Sequence, residues 1–172
     1  MFNYRDYINF AESLLFLYEE GNPDKKELLI SSILLSWIAI ESFVNNMLED
    51  FVSLPKNLFS LHERAFLLEK EINFLDSGDS LGTFELTKRK YIKLADKILF
   101  LIKKFNPKIR SFKGNYLWQN FDKLKEIRDK IAHPRKEDVF SIDTDQVKEA
   151  IRTSKDIIRF IATKVWKKEV EF

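Results

Sequence analysis

The chain has 172 residues, a formal net charge of +2 and 45% hydrophobic residues, so we expect one domain over residues 1–172 with enough apolar surface for a single core. It contains no cysteine, which excludes disulfides and thiolate metal sites, and its charged N-terminal segment lacks a signal peptide's apolar block, so we expect a cytoplasmic protein. The charge is uneven, because residues 86–113 include ten Lys or Arg and one acid.

Four Gly and four Pro are the strongest helix breakers in the sequence, and they leave uninterrupted segments much longer than ordinary strands. An all-α fold is therefore predicted. Asn22 with Pro23 is typical of a helix start, and Thr83 occupies a position typical of an N-cap. Ser60 with Glu63 and Asp143 with Gln146 match the capping-box pattern of a helix N-terminus. These signals place six helices at about residues 4–20, 23–51, 60–76, 83–106, 115–132 and 143–168.

The predicted second helix is apolar on nearly all sides and contains the longest uncharged run of the chain, residues 28–40. That run is shorter than the ~20 residues a membrane span needs, so we interpret the helix as the centre of a bundle and expect no membrane partner. Glu41 and Asn45 interrupt its apolar surface one turn apart. Polar groups on a buried helix need partners, which makes both residues candidates for a site.

Arg128 is the most unusual residue of the predicted fifth helix. The apolar residues of this helix recur at three-four spacing and define a core-facing stripe of Leu117, Phe121, Leu124 and Ile131. At about 100° per residue, Arg128 falls at the centre of this stripe. A guanidinium there needs a partner, because an unpaired buried charge is strongly unfavourable. A purely structural role, in which Arg128 reaches a wet edge or pairs with Glu41, is as consistent with this position as a functional one.

His133 follows Arg128 by five residues and stands where the helix must end, because Pro134 disfavours helical geometry in the residue before it. A histidine at this position can simply hydrogen-bond the last free carbonyls of the helix. It can also act as an acid or a base near neutral pH, beside an arginine that stabilises the charge of a phosphorane. His62, the other histidine, matches no motif and is interpreted as a surface residue.

The segment around these two residues reads IRDKIAHP, from Ile127 to Pro134. It resembles the Arg-x4-6-His signature of the HEPN superfamily, in which the arginine is commonly followed by Asn, Asp or His, as it is here by Asp129. A long central helix that carries an acid, here SWIAIESFVNNMLEDF, is similar to that family as well. The resemblance implies a HEPN-like helical bundle of about six helices.

Many HEPN proteins are metal-independent endoribonucleases, often toxins of defence or toxin–antitoxin systems, in which two protomers bring their motifs together in one cleft. The resemblance therefore implies a homodimer that cleaves RNA by 2′-hydroxyl attack without a metal or cofactor. Arg128 and His133 would be catalytic, with Asp129 orienting and Glu41 supporting them. HEPN toxins with a nucleotidyltransferase antitoxin typically carry a Tyr two positions after the histidine, to which the antitoxin attaches nucleotides. This chain has Arg135 at that position, so the resemblance does not imply that mode of neutralisation by a cognate antitoxin. The alternative is a non-catalytic HEPN-like module that binds a protein or a nucleotide.

A basic region is the candidate surface for RNA. Four lysines are predicted to align along one side of the fourth helix, and the loop after it adds further cations, giving Lys90, Lys93, Lys97, Lys104, Lys108 and Arg110. Aromatic residues lie among and after them, a combination that suits a phosphate backbone with exposed bases. A solvated lysine face that balances acidic helices elsewhere is equally consistent with the sequence.

Overall fold

Helices dominate the fold, and the all-α class predicted from the sequence is confirmed. The computed structural model describes residues 3–21, 24–52, 58–76, 79, 82–109, 112–134 and 141–172. Within these ranges the α-helices are α1 (Tyr4–Glu19), α2 (Lys26–Val52), α3 (Leu61–Leu67), α4 (Leu94–Phe105), α5 (Tyr116–Ala132) and α6 (Thr144–Ile161). The last helix continues into a π-helical turn, Ala162–Trp166, and a two-stranded antiparallel sheet is formed by β1 (Lys70–Phe74) and β2 (Phe84–Arg89).

The chain divides into two compact units. The first unit combines Met1–Phe43 with Leu101–Phe172, and the second comprises Val44–Phe100. α1, α5 and α6 belong to the first unit, whereas α3 and the sheet belong to the second. α2 and α4 contribute residues to both.

Local capping explains where several helices begin. Four N-cap side chains in the described part of the chain accept hydrogen bonds from backbone N–H groups in the first turn of their helices, namely those of Asn3, Ser60, Asn115 and Asp143. The caps at Ser60 and Asp143 complete the capping boxes that the sequence predicts with Glu63 and Gln146. The predicted helix start at residues 22–23 lies outside the described residues.

α2 contributes the centre of the first unit, as its apolar sequence predicts. Ile33 and Ile40 are completely buried, and the buried hydroxyl of Ser32 donates to the carbonyl of Ala11 on α1 at 2.8 Å. By length and composition alone the stretch Lys26–Phe51 is apolar enough to cross a membrane. Half of its most apolar window is buried inside the fold, as in the core helix of a bundle.

An aromatic cluster joins α2 to α5 in the first unit. The rings of Trp37 and Phe121 stack with their centroids 5.3 Å apart, and Trp118 packs on Phe121 at 5.1 Å. All three side chains are buried, so the cluster combines large apolar burial with a defined ring geometry. It fixes α5 against α2 two turns before Arg128.

The second unit differs from the prediction, because a β-hairpin occupies residues that were expected to be helical. α3 has only seven residues instead of extending to about residue 76, and β2 occupies the start of the predicted fourth helix. Glu69 has a φ of 54°, a left-handed conformation that does not continue a helix. Strand pairing brings the rings of Phe74 and Phe84 within 5.5 Å. Such a contact between strands is non-local, so periodicity along the chain does not reveal it.

Candidate active site

Arg128 lies near the end of α5 and directs its guanidinium toward α2. Its guanidinium carbon is 5.3 Å from the centre of the Trp37 ring, within the range of a cation–π contact. Its Nη2 atom is 3.7 Å from Oε1 of Glu41, an ion pair too long to be a hydrogen bond. The arginine side chain is 29% exposed, so it lies at the rim of the core rather than at its centre.

Trp37 positions Glu41 as well as Arg128. Its indole Nε1 donates to Oε1 of Glu41 at 2.7 Å, and the two residues lie one turn apart on the same side of α2. The indole is itself held in the core, where only 4% of the residue is exposed. The buried Trp37 ring therefore contacts Arg128 with its face and orients the Glu41 carboxylate toward the arginine through its N–H group.

Trp37 is a site residue that the sequence analysis missed. Its spacing of four from Glu41 places the two side chains on the same side of a helix, but it does not show that the ring faces the arginine. Its place in the apolar stripe of α2 identified it only as a core residue, and it is one. The Trp37 ring stacks on Phe121 in the core, and it also contacts the Arg128 guanidinium and donates its N–H group to Glu41.

Asp129 binds the guanidinium from the same helix. Its Oδ1 accepts a hydrogen bond from Nη1 of Arg128 at 2.9 Å, and its Oδ2 lies 3.7 Å from Nζ of Lys125 one turn earlier. The carboxylate is 43% exposed. Arg128 is thus held between Asp129 on α5 and Glu41 on α2, which brings together three of the four residues predicted to form the site.

His133 ends α5 as the C-cap residue, as the following proline predicts. Its backbone N–H donates to the carbonyl of Asp129 at 2.9 Å, with φ −135° and ψ 62°. The residue is exposed, and its imidazole makes no hydrogen bond or ion pair with the described part of the chain. The backbone provides the cap, and the side chain is left available for another partner.

The ion pairs of the site orient its groups more than they stabilise the fold. The side chains of Arg128, Glu41 and Asp129 are 29%, 36% and 43% exposed, and pairs of this kind contribute about 1 kcal/mol or less. What the arrangement provides is a cation held in a defined orientation and an exposed imidazole at the same helix end. The cation can bind a phosphoryl oxygen, and the imidazole can transfer a proton.

The four lysines predicted to align along one side of the fourth helix do not form such a stripe, which corrects that part of the prediction. Lys90 and Lys93 precede α4 because the hairpin occupies the start of the predicted helix. Lys104 lies in α4 and Lys108 follows it, while Arg110 lies outside the described residues.

Lys97 is buried, with 7% of the residue exposed. Its Nζ atom lies 2.5 Å from Oε1 of Glu69 and 3.2 Å from Oδ1 of Asn45. Burial, the largest influence, raises the pKa of Glu69, but the hydrogen bonds and charges of Lys97 and Arg89 outweigh it and hold this pKa below its ordinary value of 4.5. Lys97 therefore serves the fold of the second unit, and its partner there is Asn45, which the sequence makes a candidate for the site.

His62 is exposed in the first turn of α3, as the sequence suggests. Across the described residues, no group of three or more His, Asp or Glu side chains is arranged to hold a metal ion.

A helical bundle whose fifth helix ends in Arg128-x4-His133, with the arginine fixed by a second helix, defines a HEPN-type domain. A family model described as RiboL-PSP-HEPN matches residues 3–167, nearly the whole chain. The chain belongs to the RiboL-PSP-HEPN family. Searches of curated proteins and of solved structures found no match.

Proposed function

We propose that the chain is a metal-independent endoribonuclease that cleaves RNA in a site shared by two protomers. The observation that carries this proposal is the combination of a held arginine and an available histidine near the end of α5. The Arg128 guanidinium is fixed on Trp37 yet partly exposed, and the His133 imidazole is exposed without a partner among the described residues. Both groups are accessible to a phosphate.

In the proposed reaction the 2′-hydroxyl of a substrate ribose is the nucleophile. A histidine accepts the hydroxyl proton while the 2′-oxygen forms a bond to phosphorus. The bond between phosphorus and the 5′-oxygen then breaks, and the leaving oxygen takes a proton from an acid. With two protomers in one cleft, the two His133 side chains supply the base and the acid. One product ends in a 2′,3′-cyclic phosphate and the other in a 5′-hydroxyl.

Arg128 is proposed to stabilise the phosphorane, which carries more negative charge than the phosphate it is formed from. A guanidinium offers five donors in a rigid plane, and the contacts with Trp37 and Asp129 fix that plane before substrate arrives. Donors that are already oriented need little reorganisation in the transition state. Asp129 orients the arginine, and Glu41 supports it through its charge and its hydrogen bond to Trp37.

The second candidate is a non-catalytic HEPN-like module that binds a protein or a nucleotide. The same contacts favour it, because Glu41, Asp129 and Trp37 provide Arg128 with partners inside the chain. In that case the motif is a structural ion-pair cluster. Its variants would then alter stability or partner binding and have no RNA cleavage to abolish.

The biological setting we propose is that of a cytoplasmic toxin or defence component with a cognate antitoxin. This setting rests on the family resemblance. Arg135 stands where related toxins carry the modified tyrosine, and it lies outside the described residues. We therefore propose neutralisation by a route other than nucleotide attachment at that position.

The deciding experiment is the cleavage of a mixed RNA by the wild-type protein with and without a metal chelator. We expect cleavage to persist with chelator and the products to carry 2′,3′-cyclic phosphate ends. Loss of cleavage on chelation contradicts the mechanism. If no RNA is cleaved and both Arg128→Ala and His133→Ala only lower the melting temperature, the non-catalytic module is the better description.

A further inference from the structure

A pocket in the second unit is lined by residues of α3, of the β-hairpin and of the segment that follows it. Its volume of about 470 Å³ is typical of small-molecule sites. Basic and apolar side chains lie around the same cavity, and the main ones are His62, Lys70, Lys90, Phe66 and Ile72. This pocket is distinct from the Arg128 site of the first unit, and the ribonuclease mechanism does not use it.

Three basic residues give the pocket its charge. His62 comes from the first turn of α3, Lys70 begins β1, and Lys90 directly follows β2. All three are exposed, and their side chains have no ion pair or hydrogen bond with the described part of the chain. Glu71 is the only carboxylate among the described lining residues, so the lining favours an anion.

The hairpin register fixes two of these cations near each other. Lys70 pairs with Arg89 across the sheet, and the backbone N–H of Lys90 donates to the carbonyl of Glu69 at 2.6 Å. Residues twenty positions apart in sequence are thereby held at the same end of the sheet. Two ammonium groups on adjacent backbone segments suit the oxygens of a phosphate.

The lining also includes apolar and aromatic side chains. The Phe66 ring is only partly buried, and it packs on Phe100 at 5.1 Å, which limits its movement. Tyr91 lies between the lining residues Lys90 and Ile92 and is 79% exposed, so its ring is not used in the core. Rings of this kind beside cations are the combination with which proteins hold unstacked bases.

We propose that this pocket binds one nucleotide of an RNA strand, with the phosphate on Lys70, Lys90 and His62 and the base against Phe66. A free nucleotide offers the same phosphate and base, and the choice of an RNA strand rests on the proposed function. Lys90 was predicted to contact RNA as part of a helical stripe, and here it does so as part of a pocket.

The test measures binding of a short labelled single-stranded RNA by fluorescence anisotropy, using the full chain with His133→Ala so that binding is separated from cleavage. The pocket variant is Lys70→Glu with Lys90→Glu. Its matched control is Lys25→Glu with Lys26→Glu, two exposed lysines outside the second unit. We expect the pocket pair to weaken binding about tenfold or more and to reduce the salt slope by about 1.4, since each single-strand phosphate contact contributes about 0.7. The control should change both quantities little.

Equal weakening by both pairs, or by neither, overturns the inference. Lys70→Gln with Lys90→Gln repeats the test with a milder change, and thermal melting verifies that each variant is folded. UMP and AMP separate the two sources of the phosphate. If they bind the pocket as tightly as the RNA does, the pocket is a free-nucleotide site and the RNA assignment is wrong.

A cleavage assay distinguishes this inference from the proposed function. In the chain with an intact His133, the pocket variant should raise KM for RNA and leave kcat nearly unchanged. Pocket-dependent RNA binding without any cleavage refutes the ribonuclease and retains the pocket. Cleavage with a KM that the pocket variant does not change refutes the pocket and retains the ribonuclease.

Discussion

The guanidinium of Arg128 lies over the face of the Trp37 indole, 5.3 Å from the ring centre. The N–H group of the same ring donates to Glu41 at 2.7 Å, so one buried side chain contacts both members of the Arg128–Glu41 ion pair. The orientation of Arg128 on α5 therefore depends on an aromatic residue of α2. Substitutions at Trp37 therefore change the orientation of Arg128 without changing the charge of the site.

Trp37→Phe should reduce RNA cleavage by about tenfold or more, because the smaller ring loses the hydrogen bond to Glu41 and part of the surface under Arg128. It should also destabilise the fold by about 1–3 kcal/mol, since a buried ring is truncated. Trp118→Phe is the matched control, because Trp118 is 3% exposed and packs on the same Phe121 ring. Equal loss of kcat in both variants would show that Trp37 acts through stability alone.

His133→Ala should abolish cleavage at a cost in stability of about 1 kcal/mol or less. The residue is exposed, and its capping hydrogen bond to Asp129 comes from the backbone, which the substitution retains. Glu20→Ala is a suitable control, because Glu20 is the exposed C-cap residue of α1. Activity and thermal melting are measured on the same preparations. Cleavage at the wild-type rate by His133→Ala would exclude the imidazole from the reaction.

Arg128→Lys should abolish most of the cleavage while RNA binding is retained, because lysine keeps the charge and loses the planar fork of donors. Arg128→Ala should cost only about 1 kcal/mol, since Glu41 is 36% exposed and water can replace its partner. A double-mutant cycle with Glu41→Gln should give a coupling energy below about 1 kcal/mol. A coupling of several kcal/mol would instead identify the pair as a structural element.

Two protomers should place their α5 ends in one groove. The chain contains no cysteine, so a single Ala132→Cys, at an exposed position next to His133, gives an unambiguous cross-linking site. Mild oxidation should produce a disulfide-linked dimer that forms at micromolar protein. Glu20→Cys should give no such dimer. A monomer in sedimentation experiments at the same concentration, or cross-linking equal at both positions, would contradict the shared site.

Glu69→Gln should destabilise the chain at neutral pH by about 2–3 kcal/mol, because it leaves the buried ammonium of Lys97 without its counter-charge. The folded-state pKa of Glu69 is lowered, so its contribution is complete above the ordinary value of 4.5 and is lost as the pH falls below it. The melting difference between wild type and Glu69→Gln should therefore be constant at neutral pH and shrink well below pH 4.5. A difference that persists unchanged in acid would show that the carboxylate charge is not the cause.

The helices that the sequence predicts well are those whose signals are local. Asp143 and Gln146 form the predicted capping box, and Pro134 marks the end of α5 at the correct residue. The hairpin was missed because its strands are mostly exposed and are stabilised by pairing with each other. The spacing of Lys97 from other lysines predicts a place on an exposed helical face. In the structure it instead forms an ion pair with Glu69, next to the hairpin, in a largely buried position.

The residues of the candidate site are predicted from a motif, whereas their mutual contacts are seen only in the structure. The sequence places Arg128 and His133 five residues apart and identifies Glu41 as a polar group on a buried helix. It contains no information on which apolar residue of α2 would face the arginine. That depends on the rotation and depth of α5 against α2, which the stacking of Trp37 on Phe121 sets.

The contact between Trp37 and Arg128 also makes the site optically observable. The chain has three tryptophans, and replacing Trp118 and Trp166 by phenylalanine leaves one emitting indole, in contact with the site's cation and carboxylate. The emission of an indole depends on the electric field of nearby charges, and a phosphate arriving at Arg128 changes that field. The intrinsic ultraviolet fluorescence of the protein can thus report the binding of a phosphate at the candidate site in real time, without a dye or a labelled substrate.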